Sequence, residues 1–148
     1  QIYTFVEANN GPGVQHVAFH VPVIGPTVEN LRRSGIEFLD TPATYYDMMP
    51  ERLARQNVTN FDESIDELRR LGILVDGDSD RYLLQIFMVE GGLLYDDIDA
   101  GPFFYEVIQR KGARGFGEGN FRALFESIER DQQQRAVAEK QLQAGAGS

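Results

Sequence analysis

Two kinds of side chain that bind transition metals, glutamate and histidine, occur inside strand-like runs of this chain. Glu106 interrupts an apolar run, between residues 103–105 and 107–108. A carboxylate in such a strand is costly to bury unless it is paired or holds a metal. Glu106 is therefore predicted either to face solvent on an alternating strand or to have a chemical role.

The two histidines of the chain lie on one predicted strand. Residues 14–21 alternate with a period of two, which places His16 and His20 on the same face. The opposite face carries apolar side chains such as Val17 and Phe19, and we expect that face to meet the helices. Each histidine is then either an ordinary strand residue or a candidate metal ligand.

The elements that must position these residues alternate along the chain. Strands are predicted over residues 14–21, 36–39, 73–75, 82–89 and 103–109. Helices are predicted over residues 27–33, within 41–55, and over 63–71 and 121–140. This order indicates an α+β fold, a βαβββ module with inserted helices. Such a module curls into half of a cup, and its exposed sheet edge favours pairing with a second module.

Local signals predict where several elements begin and end. The predicted N-caps are Thr27, Asp62 and Asn120. Gly72 is expected to end a helix, and the Asp-Gly-Asp sequence at 76–78 is typical of a hairpin turn. Residues 90–101 are predicted to be an acidic loop, and residues 142–148 a disordered tail.

Composition excludes several classes of function. The 148 residues include 23 acidic and 14 basic side chains, a net charge of −9, which argues against nucleic acid or an anionic membrane as a partner. The absence of cysteine excludes disulfides, thiolate metal sites and cysteine nucleophiles. We predict one domain, no transmembrane helix and no signal peptide, and we expect a cytoplasmic protein.

Several blocks of the sequence resemble, in the same order, the C-terminal part of 4-hydroxyphenylpyruvate dioxygenase. They are GPGVQHVAF at 11–19, FLDTPATYYDMM at 38–49, YLLQIF at 82–87 and FFYEVIQRKGARGFGEGNFRALFESIERDQ at 103–132. The resemblance covers about residues 1–135. It implies a vicinal oxygen chelate fold of the glyoxalase and dioxygenase type, with residues 1–141 forming the last βαβββ module and a gating helix.

The same resemblance implies that His16 and Glu106 are two of three ligands of a catalytic Fe(II). In the family the remaining ligand is a histidine of the preceding module. We expect it to come from an upstream part of the same enzyme, because the sequence does not start with Met, or from a second chain in a homo-oligomer. His20 matches no ligand of the family, and we interpret it as part of the pocket wall or rim.

The substrate pocket of the family matches five further residues. They are Gln15, Gln85, Phe116, Asn120 and Phe121. In the family the two phenylalanines sandwich the substrate ring, an arrangement that contributes about 1 kcal/mol beyond burial. Alternation alone places Gln15 on the face opposite His16, so its role requires a local bulge. Phe121 fits equally well as the first core residue of the last helix.

The implied reaction joins 4-hydroxyphenylpyruvate and dioxygen to give homogentisate and carbon dioxide, a step of tyrosine catabolism. Hydroxymandelate synthase is one alternative, with the same substrate and iron but with hydroxylation at the benzylic carbon. The dioxygenase-like domain fused to some dehydroshikimate dehydratases is another, although its ending resembles this chain less. A non-catalytic module that binds a small molecule is the alternative from a different class.

Overall fold

The fold is built on a four-stranded mixed sheet, seen in a computed structural model that describes residues 2–145. The strands are β1 (His16–His20), β2 (Leu74–Asp78), β3 (Arg81–Phe87) and β4 (Phe104–Lys111). Their order in the sheet is β1-β4-β3-β2, with β1 and β4 parallel and the other neighbours antiparallel. This arrangement confirms the predicted α+β class and the βαβββ module.

Seven helices connect and cover the strands of the described chain. They are α1 (Ile2–Ala8), α2 (Ile24–Arg33), α3 (Ala43–Asp47), α4 (Met49–Arg55), α5 (Ile65–Leu71), α6 (Gly91–Leu94) and α7 (Glu118–Gly145), with a 3-10 turn at Ile98–Ala100. α2 packs against β4 and α5, and α7 packs against α3 and β2. None of these helices, within residues 2–145, combines the length and apolarity needed to span a membrane.

One continuous apolar core joins the sheet to the helices. Val107 and Ile86 are paired across β4 and β3 and are both buried, on the face that α2 and α5 cover. Val28 of α2 and Leu71 of α5 are buried in the same cluster. Because this burial fixes one face of the central strands, the alternate residues of β3 and β4 must face the other side of the sheet.

The prediction that the apolar face of the first strand meets the helices is wrong for the described residues. Val17 is 42% exposed and Phe19 is 50% exposed. β1 is an edge strand, and the helix that follows it crosses to β4 rather than covering β1. The edge of β1 and this apolar face are thus both open in the described chain.

Two predicted helix starts and one predicted strand also differ from the structure. α2 begins at Ile24, and Thr27 lies inside it with its hydroxyl donating to the Val23 carbonyl at 2.7 Å. Ser64, and not Asp62, caps α5. The predicted strand at 36–39 is reduced to a single bridge between Phe38 and Met88. Ser64 is a capping residue comparable to Asp62, whereas the N-cap of α2 is Val23, whose side chain makes no capping hydrogen bond.

The hairpin turn lies two residues later than predicted. β2 continues through Asp78, and the turn is formed by Ser79 and Asp80, whose φ angles are 52° and 65°. The Asp80 carboxylate accepts hydrogen bonds from the Thr59 amide at 2.6 Å and the Thr59 hydroxyl at 2.8 Å. These bonds stabilise the left-handed conformation, which aspartate tolerates better than most residues.

Two segments are more helical than predicted. The segment 90–101 contains α6 and the 3-10 turn, so it is not simply a loop. α7 begins at Glu118 and continues through Gly145, so Asn120 lies in its first turn instead of capping it. Residues 142–145 of the predicted disordered tail are helical, and residues 146–148 lie outside the described chain.

Candidate metal centre

The parallel pairing of β1 with β4 brings His16 and Glu106 together. His16 lies opposite Phe104 and Ala18 lies opposite Glu106, so these side chains share one face of the sheet. The His16 Nε2 and Glu106 Oε2 atoms are 3.7 Å apart. Two residues that are far apart in sequence thus form a nitrogen and oxygen pair on the face that α2 and α5 leave free.

Glu106 is buried without the partners that a buried carboxylate needs. Its relative exposure is 3%, which rules out the solvent-facing alternative. Oε1 has no hydrogen-bond partner among residues 2–145. Burial raises the pKa of Glu106 to about 7, although the nearby Arg110 acts in the opposite direction. An ionised Glu106 is therefore costly in this environment unless a cation is bound beside it.

His16 is held in one orientation by an aromatic neighbour. Its ring stacks on Phe104 with centroids 5.2 Å apart and an interplanar angle of 13°. The Nε2 edge faces Glu106, while Nδ1 is buried and has no hydrogen-bond partner in the described chain. The side chain remains 31% exposed, so the pair can be reached from one side.

These donors fit a divalent iron. An imidazole nitrogen and a carboxylate oxygen are the two ligand types of the non-haem iron triad. The unpaired atom of Glu106 is what a metal ligand is expected to show in the absence of its ion. Within residues 2–145 there is no group of three potential ligands, so the described chain offers two. His20 lies opposite Ile108 on the same face and is exposed.

Gln85 lies on the same face, two positions before Phe87 on β3. Phe87 pairs with Glu106 and Gln85 pairs with Ile108, which sets both side chains on the same face of the sheet as His16 and Glu106. Gln85 is fully buried, and neither atom of its amide has a hydrogen-bond partner in the described residues. Gly117, whose φ is +75°, lies so close to this amide that an added Cβ would overlap it.

Phe121 of α7 closes the aromatic side of this region. Its ring stacks on Phe87 at 5.1 Å and 17°. Phe87 in turn meets Phe104 edge to face at 5.7 Å. The three rings connect α7 to the strand residue on which His16 rests. Phe121 is half-buried and packs against the core, so its predicted pocket role and its core role are compatible.

Gln15 and Phe116 have surroundings different from those of the other predicted site residues. Phe116 is 71% exposed. Gln15 precedes β1, which begins at His16, so strand alternation does not constrain its side chain. Its carbonyl accepts from the Phe104 amide at 3.0 Å, and the residue lines, with Met88 and Phe104, a cavity of about 550 Å³.

Asn120, in the first turn of α7, is buried and belongs to a polar network that the sequence did not predict. Its Oδ1 accepts from the Tyr45 hydroxyl at 2.6 Å and from Arg52 Nη1 at 3.4 Å. Its Nδ2 has no partner within the described chain. Burial raises the pKa of Tyr45, which keeps its hydroxyl protonated and able to donate. The available signal was the position of Tyr45 in the FLDTPATYYDMM block.

Comparisons with known proteins identify relatives by sequence and by fold. No protein-family model matches the chain. A 4-hydroxyphenylpyruvate dioxygenase of Pseudomonas aeruginosa is 45% identical over 139 residues, and hemolysin VllY of Vibrio vulnificus is 47% identical over 139 residues. Each match covers 93% of this chain and 35% of the relative, so the chain spans about a third of the length of these relatives.

A solved structure extends the comparison to the fold. A mutant of 4-hydroxymandelate synthase from Streptomyces coelicolor matches with a TM-score of 0.64 and 41% identity, over 89% of this chain and 34% of that protein. The sheet order and the sequence blocks thus lead to the same group of proteins. The chain resembles the C-terminal part of the 4-hydroxyphenylpyruvate dioxygenases and has the fold of the vicinal oxygen chelate superfamily.

Proposed function

We propose that this chain is part of an Fe(II)-dependent dioxygenase that converts 4-hydroxyphenylpyruvate and dioxygen into homogentisate and carbon dioxide. His16 and Glu106 are proposed as two of the three iron ligands. The observation that carries the proposal is the buried, unpaired carboxylate of Glu106, 3.7 Å from His16 Nε2. The similarity to 4-hydroxyphenylpyruvate dioxygenases supports the choice of substrate.

The bound iron would supply oxygen activation and a site for the 2-oxo acid of the substrate. The described residues contribute the surroundings. The stack on Phe104 orients the His16 ring, and the rings of Phe87 and Phe121 keep water from the ligand pair on one side. Gln85 and Asn120 each have a buried amide group available for a polar group of the substrate.

The third iron ligand is proposed to be a histidine of another part of the same enzyme or of a second chain. The open edge of β1 beside His16 is consistent with a neighbour there. A homo-oligomer and a cytoplasmic location remain predictions from the sequence. Gln15 and Phe116 remain proposed substrate-binding residues, and a role for the exposed Phe116 requires closure of the loop before α7 over the substrate.

Hydroxymandelate synthesis is the second candidate function. The observation that favours it is the similarity to the Streptomyces coelicolor 4-hydroxymandelate synthase. The aromatic residue at position 121 favours ring hydroxylation, because hydroxymandelate synthases are expected to carry an aliphatic residue there. The two reactions consume the same substrates, so the identity of the product distinguishes them.

The test uses the purified protein that contains this chain, loaded with Fe(II). Oxygen uptake is recorded with 4-hydroxyphenylpyruvate, the product is identified by chromatography, and bound iron is measured separately. His16→Asn and Glu106→Gln are expected to abolish turnover and to lower the iron content. His20→Asn is the matched control, because His20 lies on the same face of the same strand. It is expected to keep its iron, because His20 is not a proposed ligand.

Each result has a distinct meaning. Oxygen uptake at the wild-type rate by His16→Asn or Glu106→Gln would remove the ligand assignment. Hydroxymandelate as the product would establish the second candidate. Binding of 4-hydroxyphenylpyruvate without oxygen uptake in the iron-loaded wild type would favour a non-catalytic binding module.

A further inference from the structure

The first turn of α7 is held by a guanidinium group that lies outside the metal centre. Arg52 is in the last turn of α4 and is partly buried. Its Nη2 donates to the Tyr45 hydroxyl at 2.7 Å and to the Val75 carbonyl at 2.8 Å, and its Nη1 reaches the Asn120 Oδ1 at 3.4 Å. One side chain thus contacts α3, β2 and α7.

Geometry and charge both favour arginine at this position. The guanidinium carbon lies 4.6 Å from the centre of the Tyr45 ring, a cation–π contact that fixes the plane of the donors. Tyr45 also accepts from the Val75 amide at 2.9 Å while donating to Asn120. Lysine cannot reproduce this arrangement, because its single ammonium group lacks the planar fork of donors.

A second anchor holds the adjacent residue of the helix. The Asp76 Oδ2 atom accepts from the Gly119 amide at 2.8 Å, and Gln56 donates to Asp76 Oδ1 at 3.0 Å. An amide in the first turn of a helix has no partner within the helix, and a carboxylate there is also favourable for the helix dipole. A Cβ on Gly119 would overlap the Asp76 carboxylate, so the close approach requires glycine.

The anchored turn carries the residues that face the candidate site. Phe121 follows Asn120 directly and stacks on Phe87. Gly117, just before the helix, rests on the buried amide of Gln85. A displacement of this turn would therefore move the aromatic wall and uncover Gln85 at the same time.

We propose that Arg52 is a positioning residue that holds Asn120, and with it the first turn of α7, over the metal-binding face. It does not touch the His16–Glu106 pair, and it acts through Tyr45 and Asn120. The catalytic consequence rests on the proposed function, because it assumes that Asn120 and Phe121 contact the substrate. The structural consequence does not depend on that function.

The experiment is hydrogen–deuterium exchange on the purified protein that contains this chain, comparing wild type, Arg52→Met, Arg52→Lys and the control Arg55→Met. Arg55 is on the same helix and is exposed, paired with Glu51 at 4.0 Å. Both Arg52 variants are expected to speed exchange at residues 119–124 by on the order of tenfold, since hydrogen bonds from charged groups are among the stronger ones. Exchange within α5 and in Arg55→Met should match wild type.

Exchange that is unchanged at residues 119–124 in a folded Arg52 variant would overturn the proposal, as would a uniform increase along the whole chain. If Arg52→Met does not fold, Arg52→Lys decides by the same criteria. In the iron-loaded enzyme, the Arg52 variants are expected to raise the KM for 4-hydroxyphenylpyruvate by a larger factor than they lower kcat. A wild type without turnover contradicts the proposed function alone, whereas the exchange result still judges the role of Arg52.

Discussion

Replacing Glu106 with glutamine should stabilise the metal-free protein at neutral and alkaline pH. The carboxylate is 3% exposed, and burial raises its pKa from the ordinary value of 4.5 to about 7. In the unfolded chain the group loses its proton near its ordinary value. Between those two pH values, the folded state therefore binds a proton that the unfolded state has already released.

The sign of the pH dependence follows from this difference. Below pH 4.5 the Glu106 carboxyl is protonated in both the folded and the unfolded state, and wild type keeps its full stability. As the pH rises from 4.5 through about 7, the unfolded chain releases the proton first, and the free energy of unfolding of wild type falls. The shift corresponds to about 3 kcal/mol at most. Glutamine has nearly the shape of protonated glutamate, so Glu106→Gln should match wild type near pH 4.5. It should exceed the free energy of unfolding of wild type by up to about 3 kcal/mol near pH 8.

The assay is urea unfolding in the presence of a chelator at several pH values. Glu37→Gln is the control, because Glu37 is exposed, and it should differ from wild type by less than about 0.5 kcal/mol throughout. Added Fe(II) should then stabilise wild type more than Glu106→Gln, because a ligand that binds only the folded state shifts its stability. A difference between Glu106→Gln and wild type that does not change with pH would refute the reasoning.

Three further predictions concern the surroundings of the site. Gly117→Ala should lower the free energy of unfolding by at least about 1–2 kcal/mol, because its φ is +75° and its Cβ would overlap the Gln85 amide. Gly115→Ala, whose Cβ meets Glu118 at an ordinary 3.5 Å, is the control in the same denaturation assay. Gln85→Leu should raise the stability of the free protein by about 1–3 kcal/mol by removing a buried unpaired amide, while weakening binding of 4-hydroxyphenylpyruvate in calorimetry; a less stable Gln85→Leu would contradict this. Thr44→Val should cost about 1 kcal/mol by removing the buried 2.8 Å bond to the Ser127 carbonyl, and an unchanged melting curve would show that this bond does not hold α7 on α3.

The strands of the module could be predicted because their signals are periodic and strong. The alternation around His16 and the apolar run around Glu106 each indicate a strand and a face. Their meeting at 3.7 Å depends on the parallel pairing of β1 with β4, which alternation alone does not specify. For that step the resemblance to the dioxygenases was needed.

What the sequence could not provide depends on contacts between distant segments. The Asp-Gly pair at 76–77 has the residues of a hairpin turn. However, the Asp76 carboxylate accepts a hydrogen bond from the Gly119 amide, and the strand continues past it. Asn120 has the residue type of an N-cap, but Tyr45 binds its side chain in the core. In both cases a helix from a distant part of the chain forms a hydrogen bond with a side chain that local rules assign to a turn or a cap.

The pairing of β1 with β4 also constrains the order in which the protein folds. β2 and β3 form a hairpin of local contacts, and β4 adds to it antiparallel, whereas β1 must wait for a partner that lies most of the chain away. Pairing of such distant segments is slow, because the intervening chain must be closed into a large loop first. During synthesis, His16 leaves the ribosome before Glu106, and the two side chains cannot lie side by side until β4 has emerged. We therefore expect His16 and Glu106 to come together late in folding, after β2, β3 and β4 have paired.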